Sequence, residues 1–238
     1  MSWPQAVLLD FYGTVVEEDD HLVSELCAEI SDSITAMPVD PRTVGAYWSE
    51  LFTRVCADAS GPAFATQREL ERRSLRQTIR HFGSAADEEA LSGRLFAYWQ
   101  RPVPFPDTAA FLREIACPIC IVSDIDRTDI ETAMAHLDIK VDLLVTSQDA
   151  CAYKPRPEPF LLALGLLELP PDQVVHIGDS LTRDVAGANA LRIPAAWVNR
   201  TGRTRPPTMQ VTYEVTDLTS LHQALATAPQ LLVDSPGT

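Results

Sequence analysis

Short apolar runs alternate along most of the chain with longer segments that have helical periodicity. The runs are rich in Val, Ile, Leu and Ala without polar alternation, which is typical of strands buried on both faces of a sheet. Strands that alternate with helices predict right-handed crossovers, and therefore an α/β fold with a doubly wound parallel sheet. The predicted strands are Ala6–Leu9, Pro118–Val122, Leu143–Thr146, Val174–Ile177, Ala195–Val198 and, at an edge, Val211–Val215. The predicted core helices are Asp129–Leu137, Pro157–Leu167, Thr182–Leu191 and Leu218–Ala226.

The interval from residue 17 to residue 101 breaks this pattern, because it contains no convincing strand. Its apolar positions recur at helical spacing, and the proline-rich segment Pro102–Pro106 then follows as a stiff, extended linker. An insert of this length is large enough to fold as a unit. We therefore expect an all-helical cap domain, residues 17–101, inserted into a core formed by residues 1–16 and 102–238. The predicted cap helices are His21–Ile34, Arg42–Ala57, Phe64–Phe82 and Glu88–Trp99.

Charge and hydropathy limit the partners that this chain can have. Its 33 acidic and 19 basic residues give a net charge of −14, which repels phosphate backbones, so we expect no nucleic-acid partner. No stretch approaches the roughly 20 apolar residues of a membrane span, and Met1–Gln5 lacks a basic leader. We expect a cytoplasmic protein without membrane contact. The sequence leaves the oligomeric state open.

Cysteine usage points to a reducing compartment. The five cysteines are odd in number and scattered, which does not suit a disulfide framework. Cys117 and Cys120 form a C-x-x-C pattern, but no second pair of Cys or His residues lies nearby to complete a zinc site. We interpret this pattern as the start of a buried strand.

Polar side chains that can carry chemistry follow the predicted strands at the point where each strand ends. The carboxyl ends of parallel strands meet at one edge of the sheet, where ligands bind in open α/β folds. A carboxylate that could act as a nucleophile, a hydroxyl, a lysine and a pair of acidic residues are therefore expected to converge there. These residues are Asp10 and Thr14 after the first strand, Ser123 and Asp124 after the second, Lys154 after the third, and Asp179 and Asp184 after the fourth.

In this order the residues resemble the motifs of the haloacid dehalogenase-like hydrolases, whose members carry them on a Rossmann-like core that often has an inserted helical cap. The resemblance covers nearly the whole chain. It implies that Asp10 is a nucleophile that forms a covalent aspartyl intermediate, and that Ser123 and Lys154 bind the charge of the electrophile. It also implies a magnesium site in the phosphatase members. Its ligands here would be Asp10, the backbone carbonyl of Tyr12, Asp179 and Asp184.

Electrostatics supports these assignments. Asp10 and a phosphoryl group repel each other until Lys154 and Mg²⁺ offset their charge. Gly13 and Thr14 suit a tight loop whose backbone N–H groups point at an anion. We therefore assign Thr14 to the catalytic group with Asp10, Tyr12, Ser123 and Lys154, and we assign Gly13, Asp124 and the cap residue Arg68 to substrate binding.

Tyr12 departs from the phosphatase pattern, which has a second Asp at this position as general acid. A phenol with a pKa of about 10 is a poor proton donor at neutral pH. The sequence Asp10-Phe-Tyr-Gly-Thr14 instead resembles the L-2-haloacid dehalogenases, as does Trp197–Gly202. Those enzymes attack carbon, expel halide and need no metal.

Other positions favour a phosphatase. The dehalogenase branch has Ser and Asn where this chain has Gly178 and Ser180, and it lacks a carboxylate at the position of Asp179. It has an arginine after a cap tryptophan, whereas Ser49 follows Trp48. It also has Tyr and Asn in place of Phe160 and Asp124. The expected function is hydrolysis of a small phosphorylated metabolite with Mg²⁺. The alternatives are a metal-independent L-2-haloacid dehalogenase and a binding module that kept the fold without turnover.

Several of these residues also have simple structural interpretations. Ser123 could cap the following helix, Lys154 could lie in a solvated turn, and Asp184 could lie on a solvated helix face. Arg68 lies within an apolar stripe of its helix, where its stem would more often extend to water than face the cleft. His176 lies in a predicted buried strand and is interpreted as a core histidine without a catalytic role.

Overall fold

The computed structural model describes residues 4–35 and 37–227, whose six strands form one parallel sheet in the order β3-β2-β1-β4-β5-β6. The strands are β1 (Ala6–Leu9), β2 (Ile119–Ser123), β3 (Leu143–Thr146), β4 (Val174–Gly178), β5 (Ala195–Val198) and β6 (Tyr213–Val215). The chain leaves β1 towards β2 and later returns to the other side of β1 with β4. The order of strands therefore reverses beside β1, which is where open α/β sheets bind ligands.

Ten α-helices surround this sheet in the described part of the chain. They are α1 (Asp20–Asp32), α2 (Pro41–Asp58), α3 (Gln67–Phe82), α4 (Glu88–Gln100), α5 (Thr108–Glu114), α6 (Arg127–His136), α7 (Ser147–Ala150), α8 (Pro157–Leu167), α9 (Ala186–Ala190) and α10 (Leu218–Thr227). Short 3-10 helices lie at Gly61–Ala63 and Pro171–Gln173, and a π-helix at Leu181–Val185 precedes α9.

Alternating side chains of each strand enter two separate apolar cores, as expected for a sheet covered on both faces. Val7 and Leu9 of β1 face the core that includes α5, α6 and α10. Ala6 and Leu8 face the core that includes α8 and α9. The predicted α/β fold with a doubly wound, Rossmann-like parallel sheet is confirmed, including the edge strand near residue 213.

The segment predicted as a cap contains α1 to α4 and no strand. Its two connections to the sheet run side by side: Glu17 N donates to Val103 O (2.8 Å) and Phe105 N donates to Val15 O (3.1 Å). Val16 and Pro104 form an antiparallel bridge between them. The entry and exit of the insert are thus tied together beside the end of β1.

Some elements differ from the sequence expectations. The N-terminal end of α3 is at Gln67 rather than Phe64, because Thr66 and Glu69 form a capping box there. The predicted helix Thr182–Leu191 begins as the π-helix, and α5 and α7 were not predicted. Among the described helices none is both long and apolar enough to cross a membrane.

Candidate active site

Asp10 lies directly after β1, next to β4. Its backbone N donates to Ile177 O (2.9 Å), which fixes the residue at the edge of the sheet. The Lys154 ammonium donates to Oδ1 (2.6 Å) and the Thr14 hydroxyl donates to Oδ2 (3.1 Å). Burial raises the pKa of Asp10 to about 7, although Lys154 lowers it. An anionic Asp10 therefore depends on the cation beside it.

Lys154 is the cation at the centre of the site and is 5% exposed. Its Nζ donates to Asp10 Oδ1 and Asp184 Oδ1, both at 2.6 Å, and to Val122 O at 3.0 Å. Burial lowers the pKa of Lys154, but the carboxylates of Asp10, Asp184 and Asp124 raise it by more, so the net shift is upward. The amine is charged at neutral pH and holds two carboxylates together.

Asp184 is 1% exposed, which excludes the interpretation as a solvated helix-face acid. Lys154 Nζ and His176 Nε2 (3.0 Å) donate to its Oδ1, and Ser180 N donates to its Oδ2 (3.0 Å). Burial raises its pKa, but Lys154 and His176 outweigh this effect and the net shift is downward. Three donors occupy most of the acceptor capacity of this carboxylate.

His176 lies in the core of β4, as predicted, and it also contacts the site through Asp184. Burial lowers its pKa, so the ring is neutral, and Nδ1 has no hydrogen-bond partner among residues 4–35 and 37–227. Because a carboxylate only accepts, the proton lies on Nε2. His176 therefore positions Asp184 rather than exchanging protons with a ligand.

Asp179 follows β4 and faces the loop after β1. Arg203 donates to its Oδ2 (3.0 Å) and to its backbone O (2.6 Å), and the Trp197 indole donates to the same backbone O (2.7 Å). A Cβ at Gly13, whose φ is +86°, would lie 2.6 Å from Asp179 Oδ1. Glycine at position 13 therefore makes room for this carboxylate.

Three carboxylates meet at this point, since one oxygen each of Asp10, Asp179 and Asp184 lies within 4.8 Å of the others. Oxygen ligands of this kind suit Mg²⁺, which usually binds one or two carboxylates and several waters. The residues present fit a divalent cation. Of the two acids that follow β4, Asp179 accepts one hydrogen bond at its carboxylate, from Arg203, whereas Asp184 accepts three. Asp179 therefore has more oxygen lone pairs left for a cation.

The Tyr12 side chain is turned towards the cap. Its hydroxyl donates to the Trp99 carbonyl of α4, and its ring packs edge-on against Phe11 at a centroid distance of 5.2 Å. Burial raises the pKa of this phenol. The proton of the Tyr12 hydroxyl is thus engaged by a backbone carbonyl, and the side chain joins the loop after β1 to α4.

Ser123 is the last residue of β2 and Asp124 follows it, and both line the same cavity as Asp10. Ser123 is 3% exposed, and its Oγ accepts a long hydrogen bond (3.5 Å) from Ile125 N. Asp124 Oδ1 accepts from Lys154 N (2.8 Å), and its Oδ2 lies 3.8 Å from the Arg183 guanidinium. Asp124 thereby orients the backbone at Lys154.

The expected anion-binding role of Gly13 is not what the structure shows. Its N–H donates to Val16 O (2.7 Å), so this donor closes the loop instead of facing a ligand. Gly13 is also absent from the cavity wall. Its function in the fold is to admit the Asp179 carboxylate.

Arg68 is also absent from the cavity wall, because its guanidinium reaches the core. It donates to both carboxylate oxygens of Asp129 on α6 (2.7 and 2.5 Å), and Gln100 donates to the same group (2.9 Å). The backbone N–H groups of Gln67 and Arg68 donate to Asp126 (2.8 and 3.1 Å). We call these contacts of Arg68 and Gln67 with Asp126 and Asp129 the cap latch. The Arg68 guanidinium, on a side chain that is 36% exposed, thus pairs with the buried Asp129 carboxylate of α6, while Asp126 accepts from the backbone at the start of α3.

A cavity of about 360 Å³ lies between cap and core above Asp10. The core contributes three cationic side chains to its wall, Lys154, Arg183 and Arg203. The two arginines were not predicted, although Arg183 lies between Asp179 and Asp184 in the sequence. Glu71 and Trp99 of the cap also line this wall and were not predicted. Trp48 and Ser49, where the sequence departs from the dehalogenase pattern, line it as well.

We expect Gly178→Ala to disable the site without unfolding the protein. A Cβ at residue 178 would lie 2.3 Å from Asp184 Cγ, so Asp184 must move, and Lys154 with it. A displacement of about 1 Å can lower kcat/KM by roughly 10²-fold. Gly165→Ala is the matched control, because that helical glycine has open space around its Cβ position. Equal kcat/KM values for the two variants would contradict this arrangement.

Comparison with known proteins agrees with the fold. A family model described as haloacid dehalogenase-like hydrolase matches residues 4–192. An (S)-2-haloacid dehalogenase of Pseudomonas putida is 28% identical over 83% of this chain and 87% of its own length. The phosphoserine phosphatase of Thermus thermophilus is 28% identical over 65% of this chain and 64% of its own length. The L-2-haloacid dehalogenase structure from Xanthobacter autotrophicus superposes with a TM-score of 0.70 at 22% identity, covering 95% of this chain and 99% of that one.

Proposed function

The chain belongs to the haloacid dehalogenase-like hydrolases, and from this premise we propose that it is a Mg²⁺-dependent phosphatase that acts on a small phosphorylated metabolite through an aspartyl phosphate at Asp10. The observation that carries the proposal is the convergence of the Asp10, Asp179 and Asp184 carboxylates within 4.8 Å. Asp179 matters most, because attack on carbon with loss of halide has no use for a second carboxylate there.

Each residue has a part in the proposed reaction. An Asp10 oxygen forms a bond to phosphorus, and the bond from phosphorus to the leaving oxygen breaks with its electron pair remaining on that oxygen. Water then supplies a proton to the leaving group and hydroxide to phosphorus, which restores the Asp10 carboxylate. Lys154 keeps Asp10 ionised, and Thr14 orients it. When bound at Asp10 and Asp179, Mg²⁺ would offset the negative charge of the phosphoryl group.

Substrates whose leaving groups are stable as anions are expected to react fastest. Tyr12 donates its proton to the Trp99 carbonyl, so it is not poised to protonate the departing oxygen. General acid catalysis typically accelerates a reaction roughly 10²–10⁴-fold. Simple alkyl esters, whose leaving groups are poor, need this acceleration and do not receive it here. The proposed substrates therefore include acyl phosphates, anhydrides, aryl esters and esters of activated alcohols.

Phosphate release from acetyl phosphate, p-nitrophenyl phosphate and glycerol phosphate, measured with Mg²⁺ and with EDTA, tests the proposal. We expect Mg²⁺-dependent release, with kcat/KM for acetyl phosphate roughly 10²-fold or more above that for glycerol phosphate. Equal kcat/KM values for acetyl phosphate and glycerol phosphate would contradict the account of Tyr12. No release from any of them would contradict the phosphatase.

An L-2-haloacid dehalogenase is the second candidate. Tyr12 and the wider alignment with the Pseudomonas putida dehalogenase favour it over the phosphatase. Against it, Ser49 rather than a cation follows Trp48 in the cavity wall, and Asp124 adds negative charge beside Asp10. Both features disfavour a carboxylate substrate and a departing halide. Halide release from 2-chloropropionate in EDTA would identify this activity.

A further inference from the structure

The charged side chains that the described cap residues contribute to the cavity wall are all acidic. Within residues 17–101, as far as the structure describes them, the charged side chains in the cavity wall are Glu18, Asp19, Asp20 and Glu71. The basic side chains in the wall all come from the core. Lys154 pairs with Asp10 and Asp184, Arg203 pairs with Asp179, and Arg183 lies 3.8 Å from Asp124 and also acts on Glu18. The part of a substrate that faces the cap thus meets carboxyl groups and no basic side chain of the described cap residues.

Glu71 is a carboxyl group without a cationic partner. It is 7% exposed, lies on α3 and lines the cavity. None of the ion pairs between described residues includes it, and burial raises its pKa to about 8, with the charge of Asp19 adding to the effect. The Trp48 indole stabilises its charged form, but this N–H also donates to Ser74 Oγ (3.0 Å). A buried carboxyl in this state gains most from a cation that arrives with a ligand.

Two indoles border the same space. Trp48 is 4% exposed and Trp99 is 3% exposed, and both line the cavity. The Trp99 N–H donates to Asp19 Oδ2 (2.8 Å) and so fixes a second carboxylate at the wall. Indole faces attract cations, more strongly when water is excluded. Each of these carboxyls thus interacts with the N–H of one indole, and both line a cavity whose wall also contains the two rings, which suits an ammonium group.

We propose that the cap side of this cavity binds an ammonium group, so that the substrate is the phosphate monoester of an amino alcohol. This inference rests on the proposed phosphatase function. It adds that Glu71, with Asp19, Trp48 and Trp99, determines specificity for the leaving group. An ammonium near the ester also lowers the pKa of the departing alcohol, which suits a site where Tyr12 supplies no proton.

The test compares O-phosphoethanolamine with n-propyl phosphate, which has a similar length and no positive charge. We expect kcat/KM to favour O-phosphoethanolamine by roughly 10–100-fold, and Glu71→Gln to remove most of that preference. Glu50→Gln, an exposed change on α2, is the matched control and keeps it. O-Phosphocholine distinguishes the contribution of the indoles from that of the carboxyls. Its quaternary ammonium binds aromatic faces but has no N–H to donate to Glu71 or Asp19.

The preference is also expected to rise with pH between about 6 and 8, because Glu71 ionises in this range and its charge attracts the ammonium. The titratable groups around Glu71 are Asp19, before α1, and the Cys56 thiol of α2, whose pKa burial raises to about 12. Burial also raises the pKa of Glu18, in the same wall, to about 8, so Glu71→Gln should reduce the slope of the ratio with pH and leave the part that Glu18 contributes. A Glu71 with only a structural role would leave the slope unchanged.

Calorimetric binding of both esters to Asp10→Asn, with Mg²⁺, separates this inference from the proposed function. Tighter binding of O-phosphoethanolamine, lost in the Asp10→Asn/Glu71→Gln double variant, supports the ammonium site even if no phosphate ester is hydrolysed. Hydrolysis of p-nitrophenyl phosphate without any preference for O-phosphoethanolamine overturns the ammonium site and leaves the phosphatase intact. A preference that Glu71→Gln does not reduce overturns the role of Glu71.

Discussion

Asp10→Asn is expected to lower kcat by roughly 10⁴–10⁶-fold, which is the scale of losing a covalent nucleophile. The amide oxygen can still accept from Lys154, and the amide NH₂ can donate to the Thr14 hydroxyl, which also accepts, so the fold and the cavity should persist. Because Asp10 has a pKa raised to about 7 by burial, replacing it with a neutral group removes a costly charge. We therefore expect the variant to unfold at a denaturant concentration close to that of the parent.

Mass spectrometry of the quenched parent enzyme completes this test. During turnover, the peptide that contains Asp10 should gain the mass of a phosphoryl group with a phosphate ester, or of a carboxyalkyl group with a 2-haloacid. Asp10→Asn should gain neither. Substantial phosphate release by pure Asp10→Asn would mean that another residue is the nucleophile.

Lys154→Met is expected to lower stability by about 3–5 kcal/mol and to abolish most activity, because removing one partner of a buried ionic contact leaves charge uncompensated. Both Asp10 Oδ1 and Asp184 Oδ1 lose a donor at 2.6 Å. The stability loss is measured by urea denaturation in EDTA. Lys140→Met, at a lysine whose side chain is 86% exposed, is the control and should change stability little.

The deficit of Lys154→Met has a defined pH dependence. The pKa of Asp184 is lowered in the folded protein, so its contribution is present above its unfolded pKa of about 4 and is lost as pH falls further. The pKa of Lys154 is raised, so its contribution is present below about pH 10 and is lost only as pH rises through the folded value. The deficit should be largest between these limits and shrink as pH falls below about 4. A deficit that stays constant as pH falls from about 6 to well below 4 would contradict the ionic origin of the contact.

The sequence predicted the core of the site because topology brings strand ends together. Asp10, Lys154, Asp179 and Asp184 are far apart along the chain, yet each follows a buried apolar run that is readable from residue type alone. The same rule predicted five strands within a residue or so of their observed ends. Hydrophobic periodicity and strand order were therefore enough to predict the sheet and the site residues that follow its strands.

The cap side of the site could not be predicted in the same way. Tyr12 meets Trp99, and Arg68 meets Asp129, only after the helical insert docks onto the core, and no local pattern specifies that docking. Glu71 is hidden in a charged stretch of α3 that resembles an ordinary solvated helix face. Its burial is a property of the packed molecule.

The cap latch has a consequence for how salt acts on the insert. The bridge between Val16 and Pro104 joins the two connections of the insert, while the contacts of Arg68 with Asp129, and of Asp126 with the first turn of α3, join the insert to α6. Breaking the latch would expose the Asp129 carboxylate, whose side chain is 1% exposed. Ions in solution screen newly exposed charge. We therefore expect rising ionic strength to weaken this attachment of the insert to the core.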